Sequence, residues 1–214
     1  MRRYRLTFAK GEAVRYISHL DLMRTWERIL RRARLKLAHT QGFNPRPRLV
    51  FAAPLPVAVT SDAEIVDVVL EDDLTPAELD ERLHLSLCPG ISVTSIDEVP
   101  LDAPAVMACV DSADYRVEVA GDDLPGRVAA FLARESVPYE RTRKGSTRQA
   151  DMRASVLDVW VEGDAAIGMR LRLGVEGAAV RPEEVVAAID PSWVVKRVHR
   201  TGLHLRQPEA AHAA

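Results

Sequence analysis

The sequence is poor in cysteine, with only Cys88 and Cys109 among 214 residues, and poor in aromatic residues, at 5%. Two cysteines are too few for a disulfide framework, so a reducing compartment is expected and the cytoplasm is the default. They are also too few to ligate an iron–sulfur cluster by themselves. No apolar run approaches the roughly 18 residues of a membrane helix. The longest candidate, Phe51 to Val59, is broken by Pro54 and Pro56. The opening MRRYRLTF lacks the apolar core of a signal peptide. There is no Walker phosphate loop, no G-x-G-x-x-G after a strand and no zinc-type Cys/His spacing. These absences argue against a membrane span, a stapled secreted fold and the common nucleotide, metal and cluster sites, and no cofactor is expected.

What the chain does contain is charge, unevenly placed. The formal net charge is only -2. Residues 1–50, however, hold 13 Lys plus Arg against three acids, whereas residues 51–100 hold one Arg against 11 acids. Clustered positive charge sets up a field that attracts polyanions, unless the acidic segment folds against it.

Hydrophobic periodicity predicts strand, helix, strand, strand, helix, strand in the N-terminal half. Residues 3–9 alternate around Tyr4, Leu6 and Phe8. Ser18 with Asp21 resembles a capping box and opens a helix to about Leu37, with Leu22, Trp26, Ile29, Leu30, Ala33 and Leu37 as its buried stripe. Strands follow near Leu49–Ala53 and Glu64–Leu70, then a helix from Thr75 and a strand over Ile91–Ile96. The order returns with a strand at Tyr115–Val119, a helix after Asp123, a hairpin joining Leu157–Val161 to Ile167–Val175, a helix from Pro182 and a strand at Trp193–Val198. The expected fold class is α+β, built from two tandem ferredoxin-like (βαββαβ) modules. They would occupy residues 1–100 and 113–206, with 101–112 as linker and 207–214 as a disordered tail.

Arg24, Arg28, Arg31 and Arg34 are spaced four, three and three, so they would share one helix face, on which Glu27 is the one opposing charge. The segment Gln41-Gly42-Phe43-Asn44-Pro45-Arg46-Pro47-Arg48 is the most distinctive. Its prolines would hold Arg46 and Arg48 in a pre-organised loop suited to phosphate, and Phe43 offers a ring to stack on a base or pack under the loop. A third basic segment contains Arg141, Arg143, Lys144, Arg148 and Arg153 and reads as a hairpin arm. His19, near the helix start, is the one imidazole worth weighing as an acid or base in RNA cleavage, but no second catalytic partner accompanies it. Ser61 and Glu64 read as turn caps at a hairpin mouth.

Residues 17–56, ISHLDLMRTWERILRRARLKLAHTQGFNPRPRLVFAAPLP, resemble the signature of the radical-SAM-associated proteins, a bacterial family. SDAEIVDVVL at 61–70 and the Asp151-Met152-Arg153 turn also fit. Ala58 departs from the pattern, which commonly has Gly there. The resemblance implies a cobalamin-binding radical-SAM protein as partner and carries no catalytic residues with it. Together these readings lead to a cytoplasmic, non-catalytic accessory protein of a radical-SAM enzyme. It would bind RNA through Arg24, Arg28, Arg31, Arg34, Phe43, Arg46 and Arg48, with Arg143 and Lys144 in support. The alternatives are a module that docks on the radical-SAM partner without RNA, and a metal-independent ribonuclease using His19.

Overall fold

The computed structural model describes residues 1–143, 146–173 and 180–206. The chain divides into two compact units, Met1–Val110 joined by Leu205 and Arg206, and Asp111–His204.

The first unit runs β1 (Arg2–Lys10), α1 (His19–Arg32), β2 (Leu49–Phe51), β3 (Thr60–Leu70), α2 (Pro76–His84), β4 (Ile91–Val99) and the short α3 (Val106–Cys109). Its strands lie in the order β4-β1-β3-β2, all antiparallel. That order with two crossover helices is a ferredoxin-like module. One sheet face carries Tyr4, Leu6 and Phe8 of β1 against Leu22, Trp26, Ile29 and Leu30 of α1 and Leu79 and Leu83 of α2. Phe8 meets the edges of Trp26 and Phe51 at 4.9 and 6.1 Å between ring centroids. Ser18 caps α1 by accepting from the Asp21 N–H (3.2 Å), and Thr75 with Glu78 forms a full capping box on α2.

Helix α1 ends five residues earlier than its apolar pattern suggests. Arg34 is left-handed (φ 56°), and the Leu35 N–H turns back to the Leu30 carbonyl (3.1 Å). This is the Schellman arrangement, here with Arg where Gly is usual. Leu37 therefore bridges to Leu70 beside β3 rather than continuing the helical stripe.

The alternate residues of β1 face the other way, and there the unit is held by ions. Asp67, 2% exposed, receives Arg3 through Nε (3.1 Å) and Nη2, and Arg5 through Nε (2.8 Å) and Nη2 (3.0 Å). Arg3 also donates to the carbonyls of Ala103 (2.6 Å) and Pro104 (2.8 Å). The segment leading to α3 is thereby pinned over the sheet, and α3 packs against β2 and β3.

A second buried ion fastens the start of α1 to the chain before β3. Lys10, 1% exposed, donates to the carbonyls of Arg15 (2.9 Å) and Val59 (3.0 Å), and burial pushes its ammonium pKa down. Ser61 and Glu64 are both buried beside this region, and Ser61 Oγ accepts from the Ala63 N–H (3.1 Å), a local cap of the kind its position suggested. Ala58 bonds Arg15 in both directions, through its N–H (3.1 Å) and its carbonyl (2.7 Å to Nε), and does so with φ 68°.

The second unit runs β5 (Val110–Ala120), α4 (Leu124–Leu132), a hairpin of β6 (Pro138–Arg143) and β7 (Ser146–Asp151), then β8 (Val156–Val161), β9 (Ala166–Arg172), α5 (Pro182–Ile189) and β10 (Val194–Leu205). Its sheet order, β10-β5-β9-β8, repeats that of the first unit, with the hairpin inserted after α4 as a separate two-stranded sheet. Tyr115, Val117 and Val119 of β5, Val128 and Phe131 of α4, and Val185 and Val186 of α5 are all buried. The Asp-Met-Arg turn closes the hairpin. Asp151 accepts from the N–H groups of Val137 and Arg153 (both 2.9 Å), Met152 is buried, and Arg153 lies over the Phe131 ring. Asp114 is gripped by Arg170 (2.6 and 2.9 Å) and touched by His204 (2.9 Å). The expected tail at 207–214 and the end of the hairpin strand at Val175 lie outside the described residues.

Three outcomes follow. Ala58→Gly relieves a left-handed alanine worth roughly 1–2 kcal/mol, offset by about 0.4–1 kcal/mol of unfolded-chain entropy. The midpoint of urea unfolding should therefore rise, and a fall would contradict the strain. Asp67→Asn leaves two guanidinium groups without their carboxylate and is expected to lower stability by about 3–5 kcal/mol in the same measurement. The Arg170 guanidinium, and next to it His204, hold Asp114 below the usual carboxylate range. A depressed folded pKa adds stability above the unfolded value of about 3.9 and loses it as pH falls through the folded one. Asp114→Asn should accordingly shrink the difference in melting temperature between neutral pH and pH below about 4.

Candidate anion-binding groove

A groove of about 840 Å³ opens within the first unit, around the edge strand β2. Its volume lies in the range of about 300–1,000 Å³ common for ligand sites. Helix α1 contributes Leu20, Met23, Arg24 and Glu27, a second stripe at helical spacing beside the buried one. The loop before β2 and the strand itself contribute Thr40, Arg46, Arg48 and Val50, and the pinned segment contributes Leu101 and Ala103. Arg3 and Asp67 form the floor.

The loop that delivers Arg46 and Arg48 is itself hydrogen bonded. The Thr40 N–H donates to the Arg46 carbonyl (2.9 Å), the Arg46 N–H to Thr40 Oγ1 (3.0 Å), and the Arg48 N–H to the Ala38 carbonyl (2.8 Å). Val69 and Arg48 join the loop base to β3 (3.0 Å). Pro45 and Pro47 need no N–H partner in this ladder, which explains how a proline-rich segment holds a fixed course. Gly42, at φ 129°, makes the tip turn that L side chains resist.

The electrostatic balance of the groove is positive. Arg46 and Arg48 have no carboxylate within ion-pair distance among the described residues, and Arg24 touches only the exposed Asp21 at 3.4 Å. Arg3 spends four of its five N–H groups on Asp67, Ala103 and Pro104, leaving one Nη1–H without an acceptor among the described residues. Leu20, 54% exposed, and Leu101, 46% exposed, supply apolar walls between these cations. Such a site suits a ligand with an anionic and an apolar, flat part.

Of the residues singled out in the sequence, Arg24, Arg46 and Arg48 meet in this groove. Arg28 and Arg31 are exposed on the same helix outside its lining, Arg28 donating to Thr25 Oγ1 (3.2 Å). Arg34 is exposed beyond the helix end, so its spacing from Arg31 no longer places it on that face. Phe43 stands fully exposed at the loop tip rather than packing beneath it. Arg143 belongs to the second unit's hairpin, with its side chain outside the described residues, as is Lys144 entirely. His19 does not line the groove. Its ring is half-buried edge-to-face on Phe51, centroids 5.3 Å apart, and desolvation pulls its pKa down against the opposing pull of Glu64. Among the described residues no group of three or more His, Cys, Asp or Glu could hold a metal ion. Sequence reasoning missed Arg3, Leu20, Met23 and Leu101. The 20, 23, 24, 27 spacing was available as a signal, whereas nothing local marks Arg3 or Leu101.

No curated protein matches the sequence. Among solved structures, the chain is similar to a chain of a Cbf5-Nop10-Gar1 complex, with 12% identity and a TM-score of 0.47 over 94% of this chain. It spans 48% of that chain's length. It is also similar to the small subunit of acetolactate synthase from Thermotoga maritima, with 11% identity, a TM-score of 0.29, and 97% and 99% of the two chains covered. Likeness at this level says nothing about function. A family model matches residues 3–182, from the second residue of β1 to the first residue of α5, and the chain belongs to that family, described as uncharacterized protein conserved in bacteria (DUF2344).

Proposed function

We propose that this protein is a cytoplasmic, non-catalytic RNA-binding module that serves a cobalamin-binding radical-SAM protein. The observation that carries the RNA part is the groove at β2, lined by Arg24, Arg46 and Arg48, where among the described residues Arg46 and Arg48 have no carboxylate partner and Arg24 has only the exposed Asp21 at 3.4 Å. Guanidinium groups donate only, so unpaired ones in a pre-organised groove favour phosphate oxygens, which accept only. Phe43 and Arg28 lie outside the groove but exposed, where they can extend contact along a polynucleotide. The radical-SAM partnership rests on the resemblance of residues 17–56 to that family's signature.

The chemistry assigned to each residue follows from its surroundings. Arg46 and Arg48 hold phosphates because the hydrogen-bonded loop fixes their backbone, which limits the entropy lost on binding. Arg24 adds charge from α1. Arg3 is mostly committed to structure and acts as the floor.

Binding to bulk cellular RNA across a salt series tests this. Each phosphate contact on a single strand should contribute about -0.7 to the slope of log affinity against log salt. Reversing two arginines, R46E and R48E together, should flatten the slope by about 1.4 and weaken binding with the fold intact by circular dichroism. An unchanged slope in the folded double variant would remove the groove from RNA binding. Retention of the radical-SAM protein after nuclease treatment, with no RNA affinity at low salt, would instead assign the arginines to protein docking.

A further inference from the structure

The groove contains one group that phosphate binding does not explain. The half-buried Glu27 lines it, as do Arg24, Arg46 and Arg48, yet among the described residues no hydrogen bond or ion pair engages its carboxylate. It lies three residues after Arg24 and four before Arg31 on α1, where either could have paired with it. A free carboxylate in a phosphate site repels the ligand's backbone. An ionised carboxylate is also acceptor-only, so the partner it can take is a donor. Along an RNA strand the groups that offer donors beside a flat apolar body are the bases, and Leu20, Met23 and Leu101 provide the walls for such a body.

The four bases differ in what they would show Glu27. Uracil presents one N–H between two carbonyl oxygens, which a carboxylate repels. Adenine and cytosine each present one amine beside a ring nitrogen acceptor. Guanine alone presents two adjacent donors, N1–H and the 2-amino group, at a separation that matches two carboxylate oxygens.

We propose that the groove takes a single unstacked guanine of a single-stranded RNA, with its N1–H and 2-amino groups on Glu27, its ring against Met23, Leu20 and Leu101, and its flanking phosphates on Arg24, Arg46 and Arg48. This rests on the RNA-binding reading above and adds base identity to it. Met23 suits the role because an unbranched thioether adapts to a flat ring. Glu27 is then the specificity-determining residue and the arginines set affinity. A duplex is excluded, because a paired guanine has both donors engaged.

The test measures fluorescence anisotropy of the full chain with a short oligouridylate carrying one central G, A, C, U or inosine. One two-donor contact predicts that the G-containing strand binds about tenfold tighter than the all-U strand. Inosine, which lacks the 2-amino group, should lose most of that gain. Glu27→Gln should abolish the G preference while leaving all-U binding equal or tighter, since a negative charge is removed. Glu27 has no partner to lose among the described residues, so the variant should fold. Equal affinity for the G and U strands would overturn the base assignment and leave RNA binding standing. Inosine equal to guanosine, or a G preference surviving in Glu27→Gln, would also overturn it. Absence of binding to every strand at low salt would overturn the RNA reading beneath it.

Discussion

Asp67 sits between Arg3 and Arg5 on the sheet face opposite α1 and α2, and much of the first unit's surface follows from that contact. A carboxylate this deep is tolerated because two guanidinium groups surround it and donate to both of its oxygens. Arg3 then has donors left for the carbonyls of Ala103 and Pro104. The segment after β4 is drawn back over the sheet, where an untethered linker would have been solvated. Its Leu101 and Ala103 become one wall of the groove, and α1 is the other. The site is therefore a consequence of how one buried acid is paired.

The same contact shows how the opposed charges of the chain are divided. Acids of the 51–100 segment answer the cations of β1: Arg2 meets Asp73 and Glu98, while Arg3 and Arg5 meet Asp67. Cations farther along, on α1 and in the loop before β2, receive almost nothing from that segment. The positive surplus is thus moved away from the first strand and concentrated at the edge of the sheet. Against this background Glu27 stands out, since a lone acceptor among donors gives the groove a feature that charge alone does not have.

The left-handed residues record two different solutions to turning the chain. At Arg34 a non-glycine residue closes a Schellman motif and releases residues 35–38 to run beside β3. At Ala58 the bend returns two hydrogen bonds to Arg15, whose carbonyl also receives the buried Lys10 ammonium. The side-chain strain at Ala58 is local, and the bonds around it explain why the conformation holds. Glycine would hold the same bend without that strain, because it adopts positive φ freely.

Period and capping in the sequence were enough to establish the α+β class and the repeated order of strands and helices. Burial imposes alternation on β1 and helical spacing on α1 before any partner is known, and Thr75 with Glu78 marks a helix start from four residues alone. The arginines of the loop before β2 were also legible, since prolines constrain backbone angles locally. Only the tertiary structure decided where α1 stops, because its stripe continues in type through Leu37 although the backbone turns at Arg34. It alone decided that Arg24, Arg46 and Arg48 meet while Arg34 does not, that His19 packs on Phe51, and that Arg3 is an internal clamp. Those facts depend on contacts between residues far apart in the chain, such as Arg3 with Asp67 and Ala103, and no local spacing encodes them.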